Sequence, residues 1–140
     1  MPKISTYLSF DGSAAEAMRT YAKILDGKID ALVMFGELPG SGPTPPGSEG
    51  KVMHAALSLA DGGVLMASDW IGSRPYEGMK GFSIALNYEG VDEARRVFDA
   101  LAAGGMVIMP LQPSFFAEAF GMAIDRFGTP WAIAGGPKQG

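Results

Sequence analysis

The chain has 140 residues, of which 47% are hydrophobic and 19% are charged. This length and composition predict one globular domain, or two half-domains of about 70 residues that share a core. The 20 glycines and 10 prolines indicate many short elements joined by tight turns. The 15 acidic residues outnumber the 11 basic residues, and no Lys/Arg cluster is present. This charge balance excludes nucleic acid as an expected partner.

The residue counts also limit the chemistry of the chain. Cysteine is absent and His54 is the only histidine. Disulfides, thiolate metal sites and any site that needs two histidines from one chain are therefore excluded. The N-terminus has no signal-peptide core, and no apolar run reaches the roughly 20 residues that span a bilayer. We expect a cytoplasmic protein with no membrane partner.

The first half of the chain predicts a strand, a helix and three further strands. Ser13 is a candidate N-cap of the helix, which is amphipathic and ends near Gly27. The last two strands flank a turn at 61–63, the clearest hairpin signal of the chain. The segment 36–50 is rich in Gly, Pro and Ser and predicts an exposed loop. The predicted elements are strands at 3–10, 28–35, 52–59 and 64–68 and a helix at 14–25.

The second half repeats this plan. Ser5, Leu8 and Phe10 of the first strand match Ser83, Leu86 and Tyr88 at one constant spacing. The predicted elements are strands at 81–88, 107–109, 115–125 and 130–134 and a helix at 91–103. The chain is therefore expected to form a single domain made of two β-α-β-β-β repeats, at about 1–75 and 76–140.

One helix per repeat covers one face of a sheet and leaves the other face bare. Two packed repeats are expected to enclose a cleft lined by residues of the bare faces, and binding sites favour such clefts. The sequence thus predicts an α+β fold of two βαβββ modules, with curved mixed sheets that form a cup-shaped cleft.

Four motifs and the doubled plan carry a resemblance to a known group of proteins. They are YLSF at 7–10, VMHAALSL at 52–59, LMASD at 65–69 and FGMAIDRFGTPWAI at 120–133. The chain resembles the vicinal oxygen chelate superfamily of glyoxalases, bleomycin-resistance proteins and extradiol dioxygenases. It is most similar to the PhnB-like branch, which sometimes carries a demethylubiquinone methyltransferase-like name. The resemblance implies paired modules, usually a homodimer, and a cup-shaped site.

The enzymes of this superfamily hold a divalent metal with four inward side chains of His, Glu or Gln type. The resemblance places these positions near Ser5, Leu65, Ser83 and Ala132. Two hydroxyls and two aliphatic side chains do not supply the donors that a divalent ion needs. We therefore expect neither the shared metal site nor another cofactor.

Three polar residues are candidates for a catalytic role. His54 lies on the less apolar side of its strand, either facing solvent or serving as an acid, base or ligand contact in the cup. Asp69 ends its strand, where it caps the loop 71–73 or meets a ligand or His54. Glu118 is the lone acid of its strand, either exposed or inside the cup.

Aromatic residues on or near the strands of the second half are candidates for stacking on a planar ligand. Most aromatic residues on strands belong to the core, and a subset is expected to face the cup. Asp125 is expected to bind the amides of the turn that follows it, with Arg126 as its partner or as a contact for an acidic ligand. The candidate stacking residues are Phe82, Phe120 and Trp131.

Three functions follow as hypotheses, and whether the protein is an enzyme stays open. The favoured one is a small-molecule binding protein that holds a planar or amphipathic compound without the usual metal. The second is a metal-dependent lyase, isomerase or dioxygenase with a non-standard ligand set such as His54, Asp69 and Glu118. The third is a ligand-free dimeric structural or regulatory module. The sequence has no glycine-rich strand-turn-helix for a nucleotide-type cofactor, so its residues do not support methyl transfer.

Overall fold

The computed structural model describes residues 2–37 and 47–138, so most of the loop predicted at 36–50 lies outside the described residues. The chain divides into unit 1, residues 1–78, and unit 2, residues 79–140. No helix in the described ranges is long and apolar enough to cross a membrane.

Unit 1 contains β1 (Thr6–Phe10), α1 (Ala14–Ile24), β2 (Lys28–Met34), β3 (Val52–Ser58) and β4 (Val64–Asp69). Unit 2 contains β5 (Ile84–Tyr88), α2 (Val91–Ala102), β6 (Met106–Gln112), β7 (Ala117–Ile124) and β8 (Pro130–Pro137).

Each unit forms a four-stranded mixed sheet in which the first and last strands of the unit are neighbours. The strand orders are β1-β4-β3-β2 and β5-β8-β7-β6. β1 pairs with β4, and β5 with β8, in parallel, whereas the remaining pairs are antiparallel. The predicted α+β class and the two βαβββ modules are therefore confirmed. The cup-shaped cleft stays a prediction.

In unit 1, α1 packs on one face of the sheet and buries every second residue of the central strands. This pattern follows from the two-residue period of a strand and the 3.6-residue period of a helix, which each bring apolar side chains to one side. The buried residues include Ala14, Ala17, Met18 and Tyr21 of α1 and Leu8, Phe10, Ala55, Leu57, Leu65 and Ala67 of the strands.

Unit 2 repeats this packing, with the large ring of Trp131 among mostly smaller buried side chains on its sheet. Phe98 of α2 lies over Gly121, where an added Cβ would come within 2.9 Å of the Phe98 ring. Gly121 therefore makes room for the ring, because the interior has no space for both groups. The buried residues include Ala94, Val97, Phe98 and Leu101 of α2 and Ala119, Ala123, Trp131 and Ile133 of the strands.

Several element ends differ from the prediction, most notably those of α1 and β6. Ser13 occupies the N-cap position of α1, but its side chain makes no capping hydrogen bond. Asp26, with φ of 55°, follows the helix in the left-handed conformation, and Gly27 instead packs closely against Leu57 and Leu59. β6 is longer than predicted and includes Pro110, which an edge strand tolerates because one side of its backbone needs no partner.

Candidate functional site

The sheet of unit 1 has a face opposite α1, which we call open face 1. Strand pairing places Tyr7 beside Met66, Met66 beside Ala56, and His54 beside Val33 on this face. The ring centroids of Tyr7 and His54 lie 6.1 Å apart, with the ring planes tilted by 36°. Tyr7 is 51% exposed. An aromatic pair with apolar neighbours is therefore available on open face 1.

The corresponding face of unit 2, open face 2, carries Phe120 and Met122 of β7 and Ala132 of β8. Phe116 lies between two other aromatic rings, with centroid distances of 5.2 Å to Phe115 and 5.0 Å to Phe120. A cavity of about 300 Å³ adjoins this cluster. Its lining residues include Asn87, Glu89, Phe116 and Ala134.

The structure corrects one of the four positions assigned to the family metal site. Leu65 pairs with Thr6 and is only 5% exposed, on the face that α1 covers. The residues of β4 that reach open face 1 at this point are its neighbours Val64 and Met66. Ala132 lies on open face 2, whereas Ser5 and Ser83 are exposed residues just before β1 and β5. Within residues 2–37 and 47–138, no three His, Asp or Glu side chains are grouped to hold a metal ion.

Asp69 faces α1 and not His54, so the predicted interaction between the two is wrong. Its Oδ1 accepts hydrogen bonds from the backbone N–H groups of Gly12 at 2.9 Å and Ala14 at 3.0 Å. Its Oδ2 accepts one from Val52 at 2.8 Å. Asp69 thus connects β4 to the first turn of α1 and to the start of β3, instead of capping the loop 71–73. Because His54 and Asp69 lie on opposite faces of the sheet, they do not form a shared ligand set.

Trp131 is completely buried on the face that α2 covers, which corrects its prediction as a ligand-stacking residue. Its indole N–H donates to Oδ2 of Asp125 at 2.8 Å. Oδ1 of the same carboxyl group accepts from the N–H groups of Phe127 at 2.9 Å and Thr129 at 3.0 Å. The predicted turn-binding role of Asp125 is therefore confirmed. The guanidinium of Arg126 lies 4.4 Å from the centre of the Phe127 ring.

The remaining candidates lie at the surface of unit 2. Glu118 is exposed on open face 2 and packs over Gly136, where an added Cβ would lie 2.9 Å from the Cβ of Glu118. Phe120 is half-buried on the same face, and Phe82 is exposed just before β5. The structure therefore brings Glu118 and Phe120 to open face 2, whereas His54 and Asp69 belong to unit 1.

A loop at residues 70–78, which we call the Trp70 loop, forms a further cavity for which the sequence predicted no role. The indole N–H of Trp70 donates to the carbonyl oxygen of Arg74 at 2.6 Å, and the hydroxyl of Tyr76 donates to that of Ser9 at 2.7 Å. Burial, followed by the nearby charges of Asp11 and Asp69, raises the pKa of Tyr76. The only sequence signal is the density of aromatic and charged residues in a short loop.

The model of the 3-demethylubiquinone-9 3-methyltransferase family matches residues 2–134. The chain belongs to this family. Protein YjdN of Escherichia coli K12 is 35% identical to it over 140 residues, which are 93% of this chain and 92% of YjdN.

Solved structures support the same relationship. Protein PA1353 from Pseudomonas aeruginosa is 44% identical, with a TM-score of 0.88 over 96% of this chain and 98% of its own. The PhnB protein from Bacillus cereus is 32% identical, with a TM-score of 0.80 over 96% and 99% of the two chains. A glyoxylase/bleomycin resistance protein/dioxygenase domain from Frankia sp. EAN1pec is 17% identical, with a TM-score of 0.68 over 100% and 94% of the two chains. The predicted glyoxalase/bleomycin-resistance-type fold is thus confirmed.

Proposed function

We propose that the protein binds a planar, largely apolar small molecule on open face 1, without a metal ion. The observation that carries this proposal is the Tyr7–His54 ring pair, 6.1 Å apart on a face that α1 leaves uncovered. Aromatic rings bind other flat rings through apolar contact and through offset or edge-to-face geometry. Met66 and Ala56, which are neighbours on the same face, extend the apolar surface for such a ring.

The polar ends of the pair favour a ring that carries oxygen atoms. The Tyr7 hydroxyl and an imidazole N–H of His54 are hydrogen-bond donors, and a carbonyl on a flat ring accepts such bonds. The family description names demethylubiquinone, a quinone. A quinone-type ring is therefore the ligand class that we propose.

Binding is proposed here and methyl transfer is not. The family description names a methyltransferase, but each sheet is mixed and carries its helix on one face, unlike the parallel sheet of nucleotide-cofactor folds. The sequence also has no glycine-rich strand-turn-helix. The side chains at the family metal positions are hydroxyl or aliphatic groups, which are poor donors for a divalent ion.

The test titrates metal-free protein with 2,3-dimethoxy-5-methyl-1,4-benzoquinone and with bleomycin, by calorimetry and by amide chemical shifts. We expect the quinone to bind, with shifts centred on Tyr7 and His54 and no change when EDTA is added. Tyr7→Ala and His54→Ala should each weaken binding about fivefold, which corresponds to about 1 kcal/mol for one ring contact.

Phe115→Ala is the matched control, because it removes an exposed ring from unit 2. It should leave the dissociation constant unchanged. Equal effects of Phe115→Ala and Tyr7→Ala would contradict the proposed location. Binding that requires an added divalent ion would favour the metal-dependent enzyme, and no binding of either compound would favour the ligand-free dimeric module.

A further inference from the structure

We propose that the Trp70 loop forms a second binding site within unit 1, for a small zwitterion that carries an ammonium and a carboxylate group beside a flat apolar group. The loop and Ser9 line an open pocket of about 300 Å³, at the lower end of the range for small-molecule sites. This site does not depend on the ring pair of open face 1. Its lining residues are Ser9, Trp70, Arg74, Pro75, Tyr76, Glu77 and Gly78.

The Trp70 ring is held in place by contacts within the loop, and the Trp70 backbone is held by β1. Its indole N–H is bound to the carbonyl oxygen of Arg74, and its backbone N–H donates to that of Phe10 at 2.6 Å. Gly72 packs against the ring so closely that an added Cβ would lie 2.6 Å from Cζ2. Trp70 is nevertheless 37% exposed. A ring held in this way presents a flat surface at a low entropic cost of ordering.

Two opposite charges line the same cavity. Arg74 and Glu77 are both exposed, and within the described residues neither side chain forms an ion pair or a hydrogen bond. A guanidinium offers a fork of N–H donors that matches a carboxylate, whereas a glutamate carboxylate accepts hydrogen bonds from an ammonium group.

The charge pattern decides the class of ligand. An aromatic anion would meet Arg74 but place its charge near Glu77, and an aromatic cation would do the reverse. A zwitterion satisfies both side chains while its apolar group lies on the Trp70 ring. Aromatic α-amino acids have this combination of groups, so L-phenylalanine is the probe that we choose.

The experiment compares L-phenylalanine with 3-phenylpropionate, which lacks the ammonium group, and with 2-phenylethylamine, which lacks the carboxylate. Calorimetry measures affinity, and tryptophan fluorescence reports the location. The chain has two tryptophans, and Trp131 is fully buried, so a spectral change should come from Trp70 and disappear in Trp70→Phe. We expect L-phenylalanine to bind at least about tenfold more tightly than either truncated compound.

Charge-removing variants then assign the two contacts. Arg74→Gln should weaken L-phenylalanine binding about tenfold and leave 2-phenylethylamine binding unchanged, whereas Glu77→Gln should also weaken L-phenylalanine binding about tenfold and leave 3-phenylpropionate binding unweakened. Arg95→Gln and Glu93→Gln, at exposed positions of α2, are the matched controls and should change nothing. Tyr7→Ala should also leave L-phenylalanine binding intact, so this site and the quinone site fail or hold separately.

Three results would overturn the second site. They are equal affinity for all three compounds, absence of both heat and a Trp70 signal, and an Arg74→Gln or Glu77→Gln variant that behaves like the α2 controls. Both variants change exposed side chains, so the folded protein is expected to be available for the test.

Discussion

The two units share a topology but connect helix to sheet in different ways. Asp69 pairs with Phe10 in unit 1, and Gly135 pairs with Tyr88 in unit 2, so the two residues occupy equivalent places. Asp69 accepts backbone hydrogen bonds from Gly12 and Ala14 at the start of α1. Gly135 has no side chain, and the first turn of α2 packs directly on it. One unit uses hydrogen bonds where the other uses close packing.

A second difference between the units lies at the other end of the same strand pairs. Leu65 and Trp131 are also equivalent, since they pair with Thr6 and Ile84 at the start of the neighbouring strands. A buried indole N–H needs an acceptor, and Asp125 provides it. The buried carboxyl group therefore lies at the end of β4 in unit 1 and in the turn before β8 in unit 2. The repeat conserves the strand order while each unit satisfies its own buried polar groups.

The largest effect is expected from Asp69→Ala. This change leaves three backbone N–H groups without their acceptor, and two of the three lost hydrogen bonds are buried. We expect a loss of about 3–5 kcal/mol in the free energy of unfolding, measured by urea denaturation. Amide hydrogen exchange should accelerate in α1 more than in α2. The exposed Asp61 is the control, and Asp61→Ala should change stability by less than about 0.5 kcal/mol. Similar losses for Asp69→Ala and Asp61→Ala would contradict the role of the Asp69 hydrogen bonds in connecting helix and sheet in unit 1.

Trp131→Phe should cause the next largest loss in the free energy of unfolding. It removes the donor to Asp125 and part of a fully buried ring, at a cost of about 2–4 kcal/mol. A double-mutant cycle with Asp125→Asn measures the coupling between the two side chains, which we expect to be about 1–2 kcal/mol. Additive losses would show that the indole does not determine the position of the buried carboxyl group.

Gly135→Ala tests the close contact of unit 2. An added Cβ would lie 2.6 Å from the Cβ of Ala94 and 2.7 Å from the carbonyl oxygen of Gly90. Overpacking of this kind costs about 1–3 kcal/mol. Gly50→Ala is the matched control, because nothing lies within 4 Å of its added Cβ. If both variants unfold at the same urea concentration, α2 is able to shift away from β8.

The sequence patterns were sufficient for the elements and for the repeat. Strands and helices were predicted to within a few residues, because alternation and helical spacing are local signals. β6 and β8 end a few residues later than predicted, and β1 and β5 begin a few residues later. The prediction ended β6 before Pro110, whereas the edge position of β6 in the sheet tolerates the proline.

The site was harder to predict because it depends on register and distant contacts. The resemblance placed an inward metal position near Leu65, which lies on the face that α1 covers. Alternation did not correct it, because β4 is apolar on both sides and does not show which side a helix covers. The role of Asp69 depends on Ala14, 55 residues away, which no local pattern reveals. The face of His54 was easier to predict, because polar residues on one side of β3 indicated the face that α1 leaves uncovered.

The smallest expected effect concerns Tyr76, whose hydroxyl joins the Trp70 loop to β1. Burial, with the charges of Asp11 and Asp69, raises its pKa above the ordinary value near 10. The folded state therefore holds the phenolic proton more tightly than the unfolded state. This contribution to stability is fully present below about pH 10 and is lost as the pH rises through the folded-state pKa.

Tyr76→Phe should accordingly cost about 1 kcal/mol or less at pH 8, the usual value of one hydrogen bond. It should also remove part of the loss of stability above about pH 10. Urea denaturation at several pH values measures both effects, with Tyr7→Phe as the control because that hydroxyl lies on open face 1. A variant whose unfolding free energy falls with pH as steeply as that of the parent would show that Tyr76 does not link the loop to proton binding. The hydrogen bond from Tyr76 to Ser9 would then be only a structural contact within unit 1.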